Sequence, residues 1–400
     1  MTGNSRETST GLYYNQIAMR ILNICAYTWA IGGPARIIYD HTLEVLRQGH
    51  EVDILSPMTP GEKMYTVPEG ARLIACARTT PLSNYYREFS IPMYRYLKEH
   101  INEYDVIHMH GIWHFGSLAP FLIPNKAVKV ITIHGLLDKW AIAHSKWKKK
   151  LVTVLYQKRL LGKADLIQIN NTDEEQDVIR YLGYRPKNMA IIPNGMKLSE
   201  YTNLPEKGLF RSKNGIAASK QIILFMGRLN IKKGLDLLLP AFMQVHAQLP
   251  DALLILAGPD DGYQAETEEF INRHNLGDRV RLVGMLTDTL KKEALSDADL
   301  FVLPSYSEGF SIAVLEAMTA GVPALVSDRV GFGDYIKKYQ AAYLTPLTGE
   351  GVAEGLLKIL QDEAYRSSIS KKAFEMVKQN FDIRVVANQL LEEYKKVNKL

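Results

Sequence analysis

The sequence predicts an α/β protein of two doubly wound, parallel-sheet domains that face each other across a cleft. Three observations carry this. Short apolar runs alternate with segments of helical period along the chain, as parallel strands joined by crossover helices do. The runs fall into two series separated by a polar, glycine-containing stretch at 205–219 without clear period, which reads as a linker. At 400 residues, 46% hydrophobic and 23% charged, the chain has apolar side chains for two cores.

Taken in order, residues 1–18 are polar and lack the apolar core of a signal peptide, so a loose extension is expected before a fold starting near Met19. Strands are predicted at Arg20–Tyr27, Glu51–Ser56, Arg72–Ala77, Val106–His110, Lys129–His134, Leu166–Asn170 and Met189–Ile192. The second series is Gln221–Met226, Leu253–Ala257, Val280–Val283, Leu300–Pro304, Ala324–Ser327 and Ala342–Leu344. Domains are accordingly expected at 19–204 and 220–380. The formal charge of +5 is small for this length and does not suggest a nucleic-acid partner. Cys25 and Cys76 lie in separate apolar runs, as buried free thiols of a reducing compartment do. No apolar stretch approaches the roughly 20 residues of a spanning helix, so a cytoplasmic location is expected.

The stretch Ser305–Pro323 carries two carboxylates, Glu308 and Glu316, around the entry to a helix expected from Ser311 to Ala320. Glu308 would lie just past the carboxyl end of a parallel strand, where open α/β sheets bind ligands. The pair brackets a helix N-terminus, whose free N–H groups favour an anion, and suits a ligand with a central phosphate and hydroxyls at both ends. One acidic loop residue and one solvated helix position would read the same way by spacing alone. After Gln221–Met226, Gly227 allows a sharp turn, and Arg228 and Lys233 place two cations where they could neutralise a diphosphate. Leu286 and Thr287, in the loop after Val280–Val283, could offer backbone groups to a flat base. In the first half, Gly32-Gly33 permits close backbone approach to a phosphate or sugar, or simply a turn. His134, at another carboxyl edge, could bond a sugar hydroxyl or pack as a satisfied core histidine.

Other chemistries lack their fingerprints: there is no G-x-G-x-x-G after the first strand and no G-x-x-x-x-G-K-[ST] anywhere. His108, His110 and His114 invite a metal reading, but no carboxylate cluster in the nearby sequence completes a site. Asp297 and Asp299 form an Asp-x-Asp that precedes a strand, which places it at the amino edge as an ordinary turn.

Together these residues resemble the retaining glycosyltransferases of family 4, which have the GT-B fold of two Rossmann-like domains. The resemblance runs from Met19 to about Tyr394. It rests on Gly32-Gly33, His134-Gly135, Ile192-Pro-Asn-Gly195, Gly227-Arg228-Leu229 with Lys232-Lys233-Gly234, and Glu308-Gly-Phe-Ser-x4-Glu316 with Ala320-Gly-Val-Pro323. It implies that Arg228 and Lys233 clamp the diphosphate and that Glu316 holds the ribose hydroxyls. Glu308 and the N–H groups of Gly309, Phe310 and Ser311 would hold the donor sugar, with His134 beside its far hydroxyl and Gly33 closing on the donor. Ser311 stands where many members have glycine, and Thr172 where serine is frequent. The family also sends its last helix back onto the first domain, and Phe381–Tyr394 fits with an apolar stripe of Val385, Val386, Leu390, Leu391 and Tyr394.

The implied reaction is retaining transfer of a hexose from a nucleoside diphosphate, UDP-glucose or a related UDP-hexose, to a saccharide or lipid-linked saccharide. No cofactor or metal is expected, the nucleotide sugar being the donor substrate. A basic amphipathic segment at 139–163 could rest on an anionic membrane surface or present a solvated face over tryptophans in the core. The rival functions are a nucleotide-sugar epimerase, a phosphorylase, for which no pyridoxal lysine is evident, and a non-catalytic nucleotide-sugar-binding protein.

Overall fold

A computed structural model describes residues 18–25, 27–29, 33–138, 142 and 152–398. Residues 1–17 of the expected extension, Gly32 and most of 139–151 lie outside the described residues. The strands form two all-parallel sheets. The seven-stranded sheet has the order β3-β2-β1-β4-β5-β6-β7, from Arg72–Ala77, Glu51–Met58, Arg20–Cys25, Val106–His110, Val128–Thr132, Leu166–Ile169 and Met189–Ile191. The six-stranded sheet has the order β10-β9-β8-β11-β12-β13, from Val280–Gly284, Ala252–Ala257, Gln221–Met226, Leu300–Leu303, Ala324–Ser327 and Tyr343–Thr345. Strands such as β9 and β12 are buried along their whole length, as expected when helices cover both faces.

In each sheet the strand order reverses beside the first strand, at β1/β4 and at β8/β11. Crossovers leave to opposite faces there, which opens a crevice at the carboxyl ends of the strands. The helices that bear on the site are α1 (Gly33–Arg47), α2 (Thr172–Leu182), α3 (Leu209–Lys213), α4 (Leu235–Gln248), α5 (Asp288–Asp297), α6 (Ile312–Thr319) and α7 (Ile383–Asn398).

Some boundaries differ from the sequence reading. The strand β2 continues to Met58 because β3 still pairs with it past the end of β1, Pro57 opposite Cys76 and Met58 opposite Ala77. The strand β5 stops at Thr132, so His134 sits beyond it in a turn at φ 54°. The linker at 205–219 is not shapeless, since it contains α3. The Asp297 carboxylate accepts from the N–H groups of Gly208 (2.5 Å) and Arg211 (2.9 Å), and Phe210 is buried. Asp299 accepts from Arg211 (3.1 Å) and from the Ile222 N–H (2.8 Å). The Asp-x-Asp lies at the amino ends of the strands, as its place before β11 predicts, and there it ties α3 to β8 and β11 at the middle of the second sheet.

The helix α7 packs on α1 and β5 of the first sheet. Its buried stripe is Ile383, Val386, Ala387, Leu390, Leu391 and Tyr394, at positions one, four, five, eight, nine and twelve of the helix, while Val385 is only half-buried. The Pro-Asn-Gly turn meets the start of α7 through Ile383 N–H to Met196 O (2.9 Å), and a Cβ on Gly195 would lie 2.9 Å from the Ile383 Cα. At the far end the Tyr394 hydroxyl lies 2.6 Å from His108 Nδ1 in the buried core. Tyr394→Phe should leave that nitrogen unpaired and lower stability by about 1–3 kcal/mol, read as a lower urea midpoint at unchanged slope.

Candidate active site

The loops after β8 and β11 bring together residues far apart in sequence. The chain leaves β8 through Gly227, and Asn230 accepts from the Lys232 N–H (2.9 Å) to start the turn Ile231–Lys233. Gly234 follows at φ 74°, where a Cβ would overlap the carbonyl oxygen of Pro304. This close approach sets Lys233 against the loop that leaves β11, and its Nζ forms an ion pair with the Glu308 carboxylate. Both side chains are largely shielded, at 17% and 13% exposure, so the pair is held against solvent screening. The Glu308 backbone is strapped to the loop after β12, donating to Arg329 O (3.1 Å) and accepting from the Gly331 N–H (2.7 Å).

Glu308, Gly309 and Phe310 line a cleft of about 730 Å³ between the two sheets, and His134 lines it from the first domain. Burial pushes the His134 pKa down to about 4, so the ring is neutral at pH 7. Gly33 begins α1, whose Pro34 and Ile37 reach the cleft. Ser311 is buried, and its carbonyl accepts from the Leu315 N–H (3.3 Å) at the start of α6.

A second pocket of about 190 Å³ in the second domain is lined by Gly227, Arg228, Met285, Leu286, Lys291 and Glu316. Glu316 is inside α6 and Glu308 outside it, as the spacing predicts. The buried Glu316 carboxylate accepts from Lys291 Nζ (2.5 Å) and from the Tyr201 hydroxyl (2.5 Å). Arg228 is mostly exposed and pairs with Asp261 (2.7 Å). Lys233 is thus coupled to Glu308 at the larger cleft, whereas Arg228 lines the smaller pocket. Thr287 does not line either cavity; its carbonyl accepts from the Leu290 N–H (3.1 Å) at the start of α5.

Side-chain hydrogen bonds that cross the cleft include Asn171 Nδ2 to Gly309 O (2.6 Å), Thr172 Oγ1 to Asp334 (3.1 Å) and Ser307 Oγ to Asp138 (3.2 Å). Asn171 also caps α2 by accepting from the Glu174 N–H (2.8 Å). A polar residue between a strand and a helical run signals such a cap, so this position was readable. Tyr201 and Lys291, the partners of Glu316, carry no motif. A Cβ on Gly331 would overlap both the Gly309 carbonyl and the Asn171 amide. Gly331→Ala should therefore push the Gly309 loop off Asn171 and lower turnover at least roughly tenfold at a little-changed melting temperature.

Of the basic segment 139–163, only Ile142 and residues 152–163 are described. Leu160 and Leu161 are buried there, while Leu155 is 60% exposed. His108 and His110 share a face, as residues two apart on a strand must, with ring centroids 4.0 Å apart.

Two family models match the chain: Glycosyltransferase Family 4 over residues 31–200 and Glycosyl transferases group 1 over residues 206–376. Over 395 residues it is 26% identical to the phosphatidyl-myo-inositol mannosyltransferase of Mycolicibacterium smegmatis, covering 95% of this chain and 94% of the relative. It is 26% identical over 320 residues to the D-inositol 3-phosphate glycosyltransferase of Corynebacterium diphtheriae, covering 75% of this chain and 74% of the relative. Among solved structures, sucrose-phosphate synthase from Thermosynechococcus elongatus superposes with a TM-score of 0.76 at 22% identity, over 95% of this chain and 99% of that one. Anabaena HepE in complex with UDP-glucose superposes with a TM-score of 0.72 at 20% identity, over 94% and 100% of the two chains.

Proposed function

The chain belongs to the family 4 glycosyltransferases and has the GT-B fold, and on that premise we propose that it is a retaining, metal-independent hexosyltransferase. The donor is a nucleoside-diphosphate hexose, UDP-glucose or a related UDP-hexose. The acceptor is a saccharide or lipid-linked saccharide of polysaccharide or glycolipid synthesis. The observation that carries this reading is the shielded Lys233–Glu308 pair at the β8/β11 crevice, facing His134 across the 730 Å³ cleft.

The diphosphate would lie between the two cavities, by Arg228, Lys233 and the N–H groups of Gly309, Phe310 and Ser311. Fixed positive charge at that point stabilises the negative charge that develops on the leaving diphosphate. A donor phosphate would compete for Lys233 and free Glu308 to accept from sugar hydroxyls. Glu316, already holding the proton donors Lys291 and Tyr201, would accept from the ribose. A double displacement requires a free carboxylate on the opposite face of the sugar. Of the carboxylates on the first-domain wall, Glu174 accepts from the N–H groups of Gly135 and Asn170, Asp177 is paired with Arg180, Asp138 accepts from Ser307, and Asp173 is exposed at the rim. The proposed course is same-face attack, in which the acceptor hydroxyl passes its proton to the departing phosphate as its oxygen bonds the anomeric carbon. Asp173→Asn should leave turnover little changed, and a loss of turnover would favour double displacement through that carboxylate.

Among the described residues no helix is long and apolar enough to cross a membrane. A cytoplasmic enzyme resting on an anionic surface through 139–163 fits a lipid-linked acceptor, and equal binding to neutral and anionic liposomes would remove that contact. The reaction is tested by a thermal-shift panel of UDP-, GDP- and ADP-sugars, followed by assay of released nucleotide with and without EDTA. A UDP-hexose should give the largest shift, and release should persist in EDTA. No shift with any donor would sink the transferase reading, and activity lost in EDTA would reject metal independence.

A further inference from the structure

Two hydrogen-bonded chains run side by side beneath the cleft, each reaching an amide at its far end, the first oriented by a backbone carbonyl and the second set with its nitrogen toward Thr42. In the first, Gln168 Nε2 donates to Ile192 O (3.0 Å), so its Oε1 accepts from Thr132 (2.9 Å). Thr132, its proton committed, accepts from His108 Nε2 (2.5 Å), and His108 Nδ1 accepts from Tyr394. In the second, Asn23 Nδ2 donates to Thr42 (3.1 Å) and turns its Oδ1 to His110 Nε2 (3.4 Å). That oxygen can only accept, so His110 carries its proton on Nε2. Its Nδ1 is then bare and accepts from His134 Nε2 (3.3 Å).

The rings of His110 and His134 lie nearly coplanar, 22° apart, and His110 stacks on His108. Neither ring can turn without breaking a contact. Burial lowers both pKa values and keeps both rings neutral, so each carries one proton. With that proton on Nε2, His134 is left with a lone pair on Nδ1, and no partner for this atom is found among the described residues.

Resting on the transferase reading, we propose that His110 is a positioning residue whose chain to Asn23 and Thr42 locks His134 as the Nε2–H tautomer, so that the sugar end of the cleft selects a hydroxyl. A bare nitrogen accepts from a hydroxyl proton. It repels a carboxylate, and it gains nothing from a sugar that lacks the group. The donor class is thereby narrowed to hexoses with a free hydroxyl at the end away from the diphosphate, against the corresponding uronates and pentoses.

The test uses the full-length protein with 15N-labelled histidine. Long-range 1H–15N spectra, assigned by His134→Gln, should show protonated Nε2 and bare Nδ1 on His134. The reverse tautomer would overturn the lock. In His110→Leu the tautomers should mix, and affinity for UDP-glucose should fall roughly 3- to 10-fold while affinity for UDP itself is unchanged. Discrimination between UDP-glucose and either UDP-glucuronate or UDP-xylose should shrink by the same factor. His110→Gln, whose amide oxygen can accept from Nε2–H, should restore both. If His110→Leu does not fold, Asn23→Asp keeps an acceptor toward His110 and should retain the wild-type tautomer, whereas Asn23→Leu should lose it. Equal UDP-glucose binding in wild type and His110→Leu would overturn the positioning role. Wild type that binds UDP but none of the three sugars would sink the transferase reading and the selection with it, while the spectra still decide the tautomer.

Discussion

Lys233→Ala is expected to lower kcat by roughly 10²- to 10³-fold while the affinity for free UDP changes only a few-fold. In the proposed reaction the ammonium would lie where charge builds as the diphosphate departs, and an interaction that strengthens in the transition state shows in kcat more than in binding. The variant has a second effect. It strands the Glu308 carboxylate, at 13% exposure, without its cation. The two contributions separate in a double-mutant cycle with Glu308→Gln. If Lys233 served only to neutralise Glu308, the double variant would recover most of the lost turnover. If it stabilises the leaving group, the double variant stays slow. Arg228→Ala gives a cleaner comparison, because its guanidinium is 66% exposed and, among the described residues, pairs with half-buried Asp261. Stability should scarcely change while turnover falls in the same direction. Unchanged kinetics in both single variants would refute the site.

Glu316→Gln should weaken UDP binding by up to roughly 10²-fold, since each charge-assisted bond to a ribose hydroxyl contributes about 1.5–3 kcal/mol. Wild type should discriminate UDP from its 2′-deoxy analogue by calorimetry, and the variant should not. A loss of affinity with that discrimination intact would mean that Glu316 acts only through the fold. The fold does depend on it: Lys291 Nζ and the Tyr201 hydroxyl both end on this carboxylate, with the ammonium 5.4 Å from the Tyr201 ring centroid. A lower melting temperature in Glu316→Gln is therefore expected, and Glu316→Asp would show whether charge or reach matters more.

Much of the fold was legible because its signals are local. Apolar runs such as Leu253–Ala257 read as strands since burial on both faces leaves no other composition. Gly227 read as a turn off the strand, and the stop at Gly321-Val-Pro323 bounded α6. The placement of Glu308 outside that helix and Glu316 inside it follows from the same punctuation. The short helix α3 within 205–219 was not legible because the force that orders it comes from Asp297, far along the chain. Val385 was placed in the apolar stripe because it is apolar and adjoins Val386, but at 100° per residue it falls on the flank of the face that packs on α1 and β5.

What the sequence determined by itself is two parallel-sheet domains whose polar, glycine-bearing loops follow the strands, with cations after β8 and carboxylates on either side of a helix start. Tertiary structure alone decided how these groups combine. Lys233 meets Glu308 because Gly234 lets the chain press against Pro304, and Glu316 meets Tyr201 and Lys291 from separate elements. His134 acquires a defined tautomer only through His110, Asn23 and Thr42, on three other elements. Periodicity and turn chemistry act over a few residues. Hydrogen-bond polarity and ion pairing depend on which strands become neighbours at the switch points, and that order is set by the packing of the whole chain.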